Sequence, residues 1–313
     1  EFMQAYWNIE EVQAKGFQHL ASFVEDKSAF PYLLKCTEVI ILAMKTHIDS
    51  PELQAEGCTL LLEILSQALE QGMMMALDER VASCLLHTVR KHSENEEFLS
   101  MFCTLLMMVS ASEVAAENLR KVGMIPDLLS ILRRFLHNDK ICCSCCAVLW
   151  SLAVSENNAD QAVLDSAVPV TSAVLQEHLQ NGVVAESACS ALWALSLQGC
   201  LTDSDYEPTA ALLLEAIRMN PERAVLVKNG CLALASLVRL SETAALAILL
   251  DSKGSGTELI KDQYYLHFDD QGVTEALCLL MNEMVQYDNV MLNMRSQKME
   301  KLLLKIKFQF PFS

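Results

Sequence analysis

Glycine and proline are scarce in this sequence. Ten Gly and seven Pro occur in 313 residues, where average usage would give roughly 22 and 16. Both punctuate turns and hairpins, so their scarcity disfavours an all-β fold. Long uncharged apolar runs are also absent. The stretch Ile141 to Ser155 is about 15 residues, short of the roughly 20 that a membrane helix needs, so no integral membrane segment is expected. Basic charge is in short supply: 23 Lys and Arg face 40 Asp and Glu, a net charge of −17. Such a surface repels phosphate backbones and argues against a nucleic-acid partner. The start lacks the apolar region of a secretory signal. Glu1-Phe2 reads as a cloning scar, and a helical pattern follows at once, so the chain reads as a piece of a longer protein.

What is present favours a helical body. Hydrophobic residues make up 52% and charged residues 20%, enough to bury a core and too apolar for disorder. Leu, Ala, Met, Glu and Gln dominate, and all favour helix. The twelve cysteines include the run Cys142, Cys143, Cys145 and Cys146 but no spaced framework across loops. That fits a reducing, cytoplasmic setting in which thiols act as small apolar side chains.

Self-similarity organises the chain. Gly16-Phe17-Gln18-His19-Leu20 is followed 41 residues on by Gly57-Cys58-Thr59-Leu60-Leu61. Phe102-Cys103-Thr104-Leu105-Leu106 comes next, then Cys145-Cys146-Ala147-Val148-Leu149-Trp150-Ser151-Leu152. Ala188-Cys189-Ser190-Ala191-Leu192-Trp193-Ala194-Leu195 and Gly230-Cys231-Leu232-Ala233-Leu234-Ala235-Ser236-Leu237 complete six copies at 41 to 45 residues. Within copies, Ile141, Cys145, Leu149 and Leu152, or Val184, Ala188, Leu192 and Leu195, fall on one helical face. A second helical pattern precedes each: Pro31 to Lys45, Leu77 to Arg90, Pro126 to Leu136, Pro169 to Leu179, and Pro208 to Arg218. Proline suits a helix start, where its missing N–H has no partner to lose. Ser50-Pro51 and Asn220-Pro221 each predict a capped start of a long helix. Each unit is expected to hold a short helix, a proline-led helix and a long buried helix. One unit cannot bury its own apolar face; stacked copies can.

The run Glu117-Asn118-Leu119-Arg120-Lys121-Val122-Gly123-Met124-Ile125-Pro126-Asp127-Leu128-Leu129 resembles the corner between the first and second helices of an armadillo repeat. Ala191-Leu192-Trp193-Ala194-Leu195-Ser196 resembles a third helix. The resemblance spans nearly the whole chain. It implies an all-α fold, a right-handed armadillo-like α-solenoid of about seven helical repeats, as a single domain over residues 3–308. The recurring Gly-Cys of the third helix is most similar to armadillo regions of kinases and kinase-like proteins. That implies a non-catalytic protein-interaction scaffold, the regulatory or docking part of a larger kinase-like protein; the alternatives are a homodimerisation module and a cysteine-based metal-binding or enzymatic domain.

The period breaks at Asp251 to Gln271, where Gly254, Gly256, Tyr264, Tyr265 and Phe268 read as an insertion between helices or a linker. A closing helical pair is expected at Val273 to Val285 and Asn289 to Ile306. Charge is uneven as well. Ser155 to Val225 holds ten acidic and two basic residues, and Leu292 to Ser313 holds five basic and one acidic. Phe308, Phe310 and Phe312 with Lys305 and Lys307 are expected to cap the last repeat.

Catalytic and metal patterns are weak. The cysteine run has C-x2-C spacing twice, but zinc wants a second ligand pair, and one helix face explains the run as packing. His19, His47, His87, His92, His137, His178 and His267 read as scattered, with His87 and His92 solvated. None falls in a triad order. No enzyme activity, metal or cofactor is expected. The armadillo resemblance instead implies a concave surface of third helices. Where such grooves grip extended peptides, Trp is followed four residues later by Asn, whose amide clamps the peptide backbone. Here Val154 and Leu197 stand four residues after Trp150 and Trp193, so that clamp is lost. What remains is a strip of Leu62, Met107, Trp150, Val154, Trp193 and Leu197, with Glu186 on the rim and Arg239 four residues after Ala235. This strip suits the apolar face of a partner helix, and the acidic loops suit a basic segment. The competing reading packs these residues against neighbouring third helices.

Overall fold

The computed structural model describes residues 2–26, 28–73, 77–154, 161–251 and 254–309. Ser155, Ser252, Lys253, Phe310 and Phe312, together with Glu1, lie outside them. Every regular element among the described residues is a helix. The contacts form two compact units, Glu1–Ala159 and Asp160–Ser313.

The first unit contains α1 (Phe2–Ala5), α2 (Glu10–Ala21), α3 (Phe30–Thr46), α4 (Pro51–Glu70), α5 (Glu79–Lys91), α6 (Glu96–Ser110), α7 (Glu113–Lys121), α8 (Met124–Arg134) and α9 (Asp139–Val154). The second contains α10 (Gln161–Asp165), α11 (Ala167–Glu177), α12 (Gly182–Leu197), α13 (Asp203–Met219), α14 (Ala224–Leu240), α15 (Glu242–Leu249), α16 (Gly256–Leu266), α17 (Gln271–Met284), α18 (Asp288–Ser296) and α19 (Met299–Gln309).

The fold is repeat-like in each unit. In the first, α2, α4, α6 and α9 stack in series, and α3, α5 and α8 form an adjoining series. In the second, α12, α14 and α17 stack in series, each packed against the helix before it in sequence, α11, α13 or α16. The recurring Phe17, Cys58, Cys103, Cys146, Cys189 and Cys231 are all buried in these stacks. The proline-led helices lie within a few residues of their expected limits. Ser50 caps α4 as the sequence predicts, its Oγ accepting from Leu53 N at 3.3 Å. Gly123 adopts φ 82° at the α7–α8 corner, a left-handed conformation that favours glycine.

Four boundaries differ from expectation. Among its described residues the segment 251–271 carries a helix, α16, with Ile260 and Tyr264 buried. Its glycine marks close packing, since a Cβ at Gly256 would sit 2.3 Å from the Ile248 carbonyl oxygen. Asn220 does not open α14, which begins at Ala224. Asn220 ends α13 instead, and its Nδ2 donates to Leu179 O at 2.8 Å and Ala216 O at 3.0 Å. The closing helix 289–306 is split into α18 and α19 by Lys298, whose φ of 61° breaks the helical path. α13 also starts five residues before Pro208, on a Thr202–Asp205 capping box. Pro208 is therefore internal, past the first turn, where it lacks the N–H that would otherwise bond Ser204 O.

A hydrogen-bond ladder joins successive repeats. His47 Nε2 lies 2.9 Å from Trp7 O, and His92 Nε2 lies 2.9 Å from Ile48 O. In the second unit Asn220 makes the equivalent bond to Leu179 O, and His267 Nε2 lies 2.7 Å from Pro221 O. Each of these four side chains stands at the C-cap of a helix, where it holds the corner of the previous repeat. His92 is half-buried rather than solvated.

Candidate functional site: exposed faces of the stacked helices

The strip residues fall at two recurring positions, four residues apart, on the stacked helices. In the first unit, Leu62 on α4 and Met107 on α6 are half-buried. Trp150 and Val154 on α9 are 39% and 49% exposed. In the second unit, Trp193 on α12 is half-buried and Leu197 is 51% exposed. Ala235 on α14 is buried, while Arg239 and Leu240 are exposed. Glu186 is not a bare rim carboxylate. It accepts from Arg223 Nε at 3.1 Å and Nη2 at 2.9 Å, which ties α12 to the start of α14.

Sequence reasoning missed a second feature of the first unit. The N-terminal halves of α4, α6 and α9 flank a groove of about 1040 Å³. Gln54, Ala55 and Thr59 line it from α4, and Glu96, Glu97, Ser100, Met101 and Thr104 from α6. Asp139 and Lys140 line it from α9, with His92 and Asn95 at the preceding corner. Gln54 is fully buried and donates from Nε2 to Met44 O at 2.7 Å and His47 O at 3.1 Å. Its Oε1 has no hydrogen-bond partner. Gln13 makes the same pair of bonds one repeat earlier, to Met3 O at 3.0 Å and Tyr6 O at 2.9 Å. The spacing of 41 residues between Gln13 and Gln54 was the available signal.

The cysteine run packs inside the first unit. Cys142, Cys145 and Cys146 are buried and Cys143 is half-buried. Cys145 Sγ lies 3.5 Å from Cys103 Sγ. The neighbouring Cys103 thiol and burial together push Cys145 well above the ordinary thiol range. Burial, with a smaller contribution from Cys103, pushes Cys58 up to about 12, and burial pushes Cys231 up to about 12. Such thiols stay protonated near neutral pH and make poor nucleophiles or metal ligands. Among the described residues no three His, Cys, Asp or Glu converge to hold a metal ion. Among them, too, no helix is long and apolar enough to cross a membrane.

Neither the protein-family models nor the solved structures contain a match to this chain.

Proposed function

We propose that this chain is an armadillo-like, right-handed α-solenoid acting as a non-catalytic protein-interaction scaffold. In this reading it is the regulatory or docking region of a larger, cytoplasmic kinase-like protein. One observation carries the proposal: large apolar side chains stand exposed at recurring positions on stacked helices. They are Trp150 and Val154, 39% and 49% exposed, in the first unit, and Leu197, 51% exposed, in the second. Aromatic and aliphatic anchors on a rigid scaffold are favoured binding hot spots because they bury much area at low entropy cost. Within each unit the four-residue spacing, Trp150 to Val154 or Trp193 to Leu197, suits the apolar face of a partner helix, and the acidic surface suits a partner with basic flanks.

The non-catalytic part of the reading is supported by the state of the reactive groups. The core thiols are buried and protonated, and His47, His92 and His267 are held by backbone carbonyls. No metal, cofactor, nucleic acid or integral membrane contact enters the proposal. The test is affinity capture with the wild-type chain and with Trp193→Ala/Leu197→Ser, read by quantitative mass spectrometry. Partners that disappear with the variant while its unfolding midpoint holds support the reading. An unchanged partner set contradicts the assignment of this surface.

A second reading is self-association. Tyr6, Trp7 and Ile9 are 46%, 61% and 42% exposed beside one another in the first unit. Light scattering across a concentration series decides it: a constant monomer mass removes this reading.

A further inference from the structure

We propose that the groove of the first unit binds the Lys or Arg side chains of a basic partner segment. This rests on the scaffold reading above and assigns that scaffold a second, polar subsite apart from the Trp150–Val154 strip.

The groove is built of acceptors. Gln54, which lines it, is buried with an Oε1 that has no partner, while its Nε2 is fully used by Met44 O and His47 O. A buried amide oxygen left without a donor is costly, and native structures rarely tolerate one without a reason. Thr59 and Thr104 each donate a hydroxyl proton to their own helix, to Ala55 O at 2.9 Å and Ser100 O at 3.0 Å. Their oxygens keep lone pairs for a further donor. Glu97 has no hydrogen bond or ion pair among the described residues. Glu96 accepts from Asn138 Nδ2 at 2.8 Å, and Asp139 accepts from the Lys140 backbone N–H at 2.8 Å.

Four cations of this unit are paired elsewhere. Arg80 pairs with Asp78 and Glu38, Arg90 with Asp127, Lys91 with Asp49, and Arg134 with Glu94. Lys140, exposed, is the one Lys or Arg among the groove residues, against Glu96, Glu97 and Asp139. The Asn95 amide is the exception among the acceptors: its Oδ1 caps Phe98 N at 3.0 Å, which leaves its N–H groups as donors. A ligand that fits this inventory supplies donors and positive charge and needs few acceptors. Lysine ammonium has three donors and arginine guanidinium five, and neither accepts. At about 1040 Å³ the groove exceeds the usual small-molecule pocket range of roughly 300–1,000 Å³, and it runs across three helices, which suits an extended segment.

The experiment uses the full chain and a fluorescein-labelled peptide of six Ser-Arg repeats, with six Ser-Glu repeats as control, read by fluorescence anisotropy. Three proteins are compared: wild type, Glu96→Gln/Glu97→Gln/Asp139→Asn, and a charge-matched Glu113→Gln/Glu222→Gln/Glu242→Gln. All six changed side chains are exposed, so both variants are expected to fold, and circular dichroism verifies it. The Arg peptide is expected to bind wild type and the Glu peptide is not. The groove variant is expected to weaken Arg-peptide binding about tenfold, the sum of three exposed ion pairs. The matched variant should weaken it less than about twofold. Equal weakening by both variants would reveal only the general field of an acidic protein and would overturn the proposal. Absence of Arg-peptide binding would overturn it too. Partner capture through the Trp193–Leu197 surface is read separately, so the groove can fail while the scaffold reading stands.

Discussion

Gly256 and Cys58 display what a single residue does in this fold. Gly256 begins α16 so close to the Ile248 carbonyl that any Cβ would clash with backbone. Backbone cannot swing aside as a flexible side chain can. Gly256→Ala is therefore expected to cost about 1–3 kcal/mol of stability, seen as a lower urea midpoint at unchanged m-value. Cys58 is a titration probe of the core. Its thiol rises from an ordinary 9.0 to about 12 because burial disfavours the thiolate. The sign follows from linkage. Below the unfolded pKa both states hold the proton, and its contribution to stability is intact. As pH climbs from about 9 towards 12 the unfolded chain releases the proton while the folded chain keeps it, so stability falls. The loss approaches about 1.4 kcal/mol per pH unit for one such thiol. Urea titrations from pH 7 to 10.5 should show this decline, and Cys58→Ala should make it shallower. A slope unchanged by the substitution would mean that the thiol is not buried in this way.

At the scale of elements, caps and corners decide where helices start and stop. Asp270 caps α17, its Oδ1 accepting from Val273 N at 3.0 Å. Asp270→Ala should cost about 1 kcal/mol and Asp270→Asn much less, because asparagine caps nearly as well; thermal unfolding of the pair checks this. The elements that could be read from sequence were those with strong local signals. Pro31, Pro51, Pro126 and Pro169 sit in the first turns of α3, α4, α8 and α11, and the Cys-centred repeat marks the buried face. The elements misread were those whose local signals were outweighed by tertiary contacts. Glycine at 254 and 256 signals a loop in isolation, yet Gly256 serves a close helix contact. Asn220-Pro221 looks like a helix start, but the Asn side chain is taken by the previous repeat through Leu179 O. His47, His92 and His267 looked scattered because the ladder they build is visible only across repeats. The placing of Trp150 and Trp193, and of Val154 and Leu197, on long helices was legible because these positions recur at the repeat period. The groove was not, because it is formed only where α4, α6 and α9 come together in the fold.

For the whole molecule, the claim at stake is that its exposed apolar positions are for binding rather than for holding the helices together. The two roles leave different energetic signatures. A core tryptophan cut to alanine costs roughly 3–5 kcal/mol of stability, whereas an exposed anchor costs little stability and about 2 kcal/mol or more of binding. Trp150 is the most direct probe, since it is 39% exposed on α9 while its neighbours Leu149 and Leu152 are fully buried. The deciding measurement is the unfolding free energy of Trp150→Ala in urea, taken with capture of partners by the same variant. The scaffold account predicts a stability loss below about 1 kcal/mol together with loss of captured partner. A loss of roughly 3–5 kcal/mol, with capture falling only as far as the folded fraction falls, would contradict it.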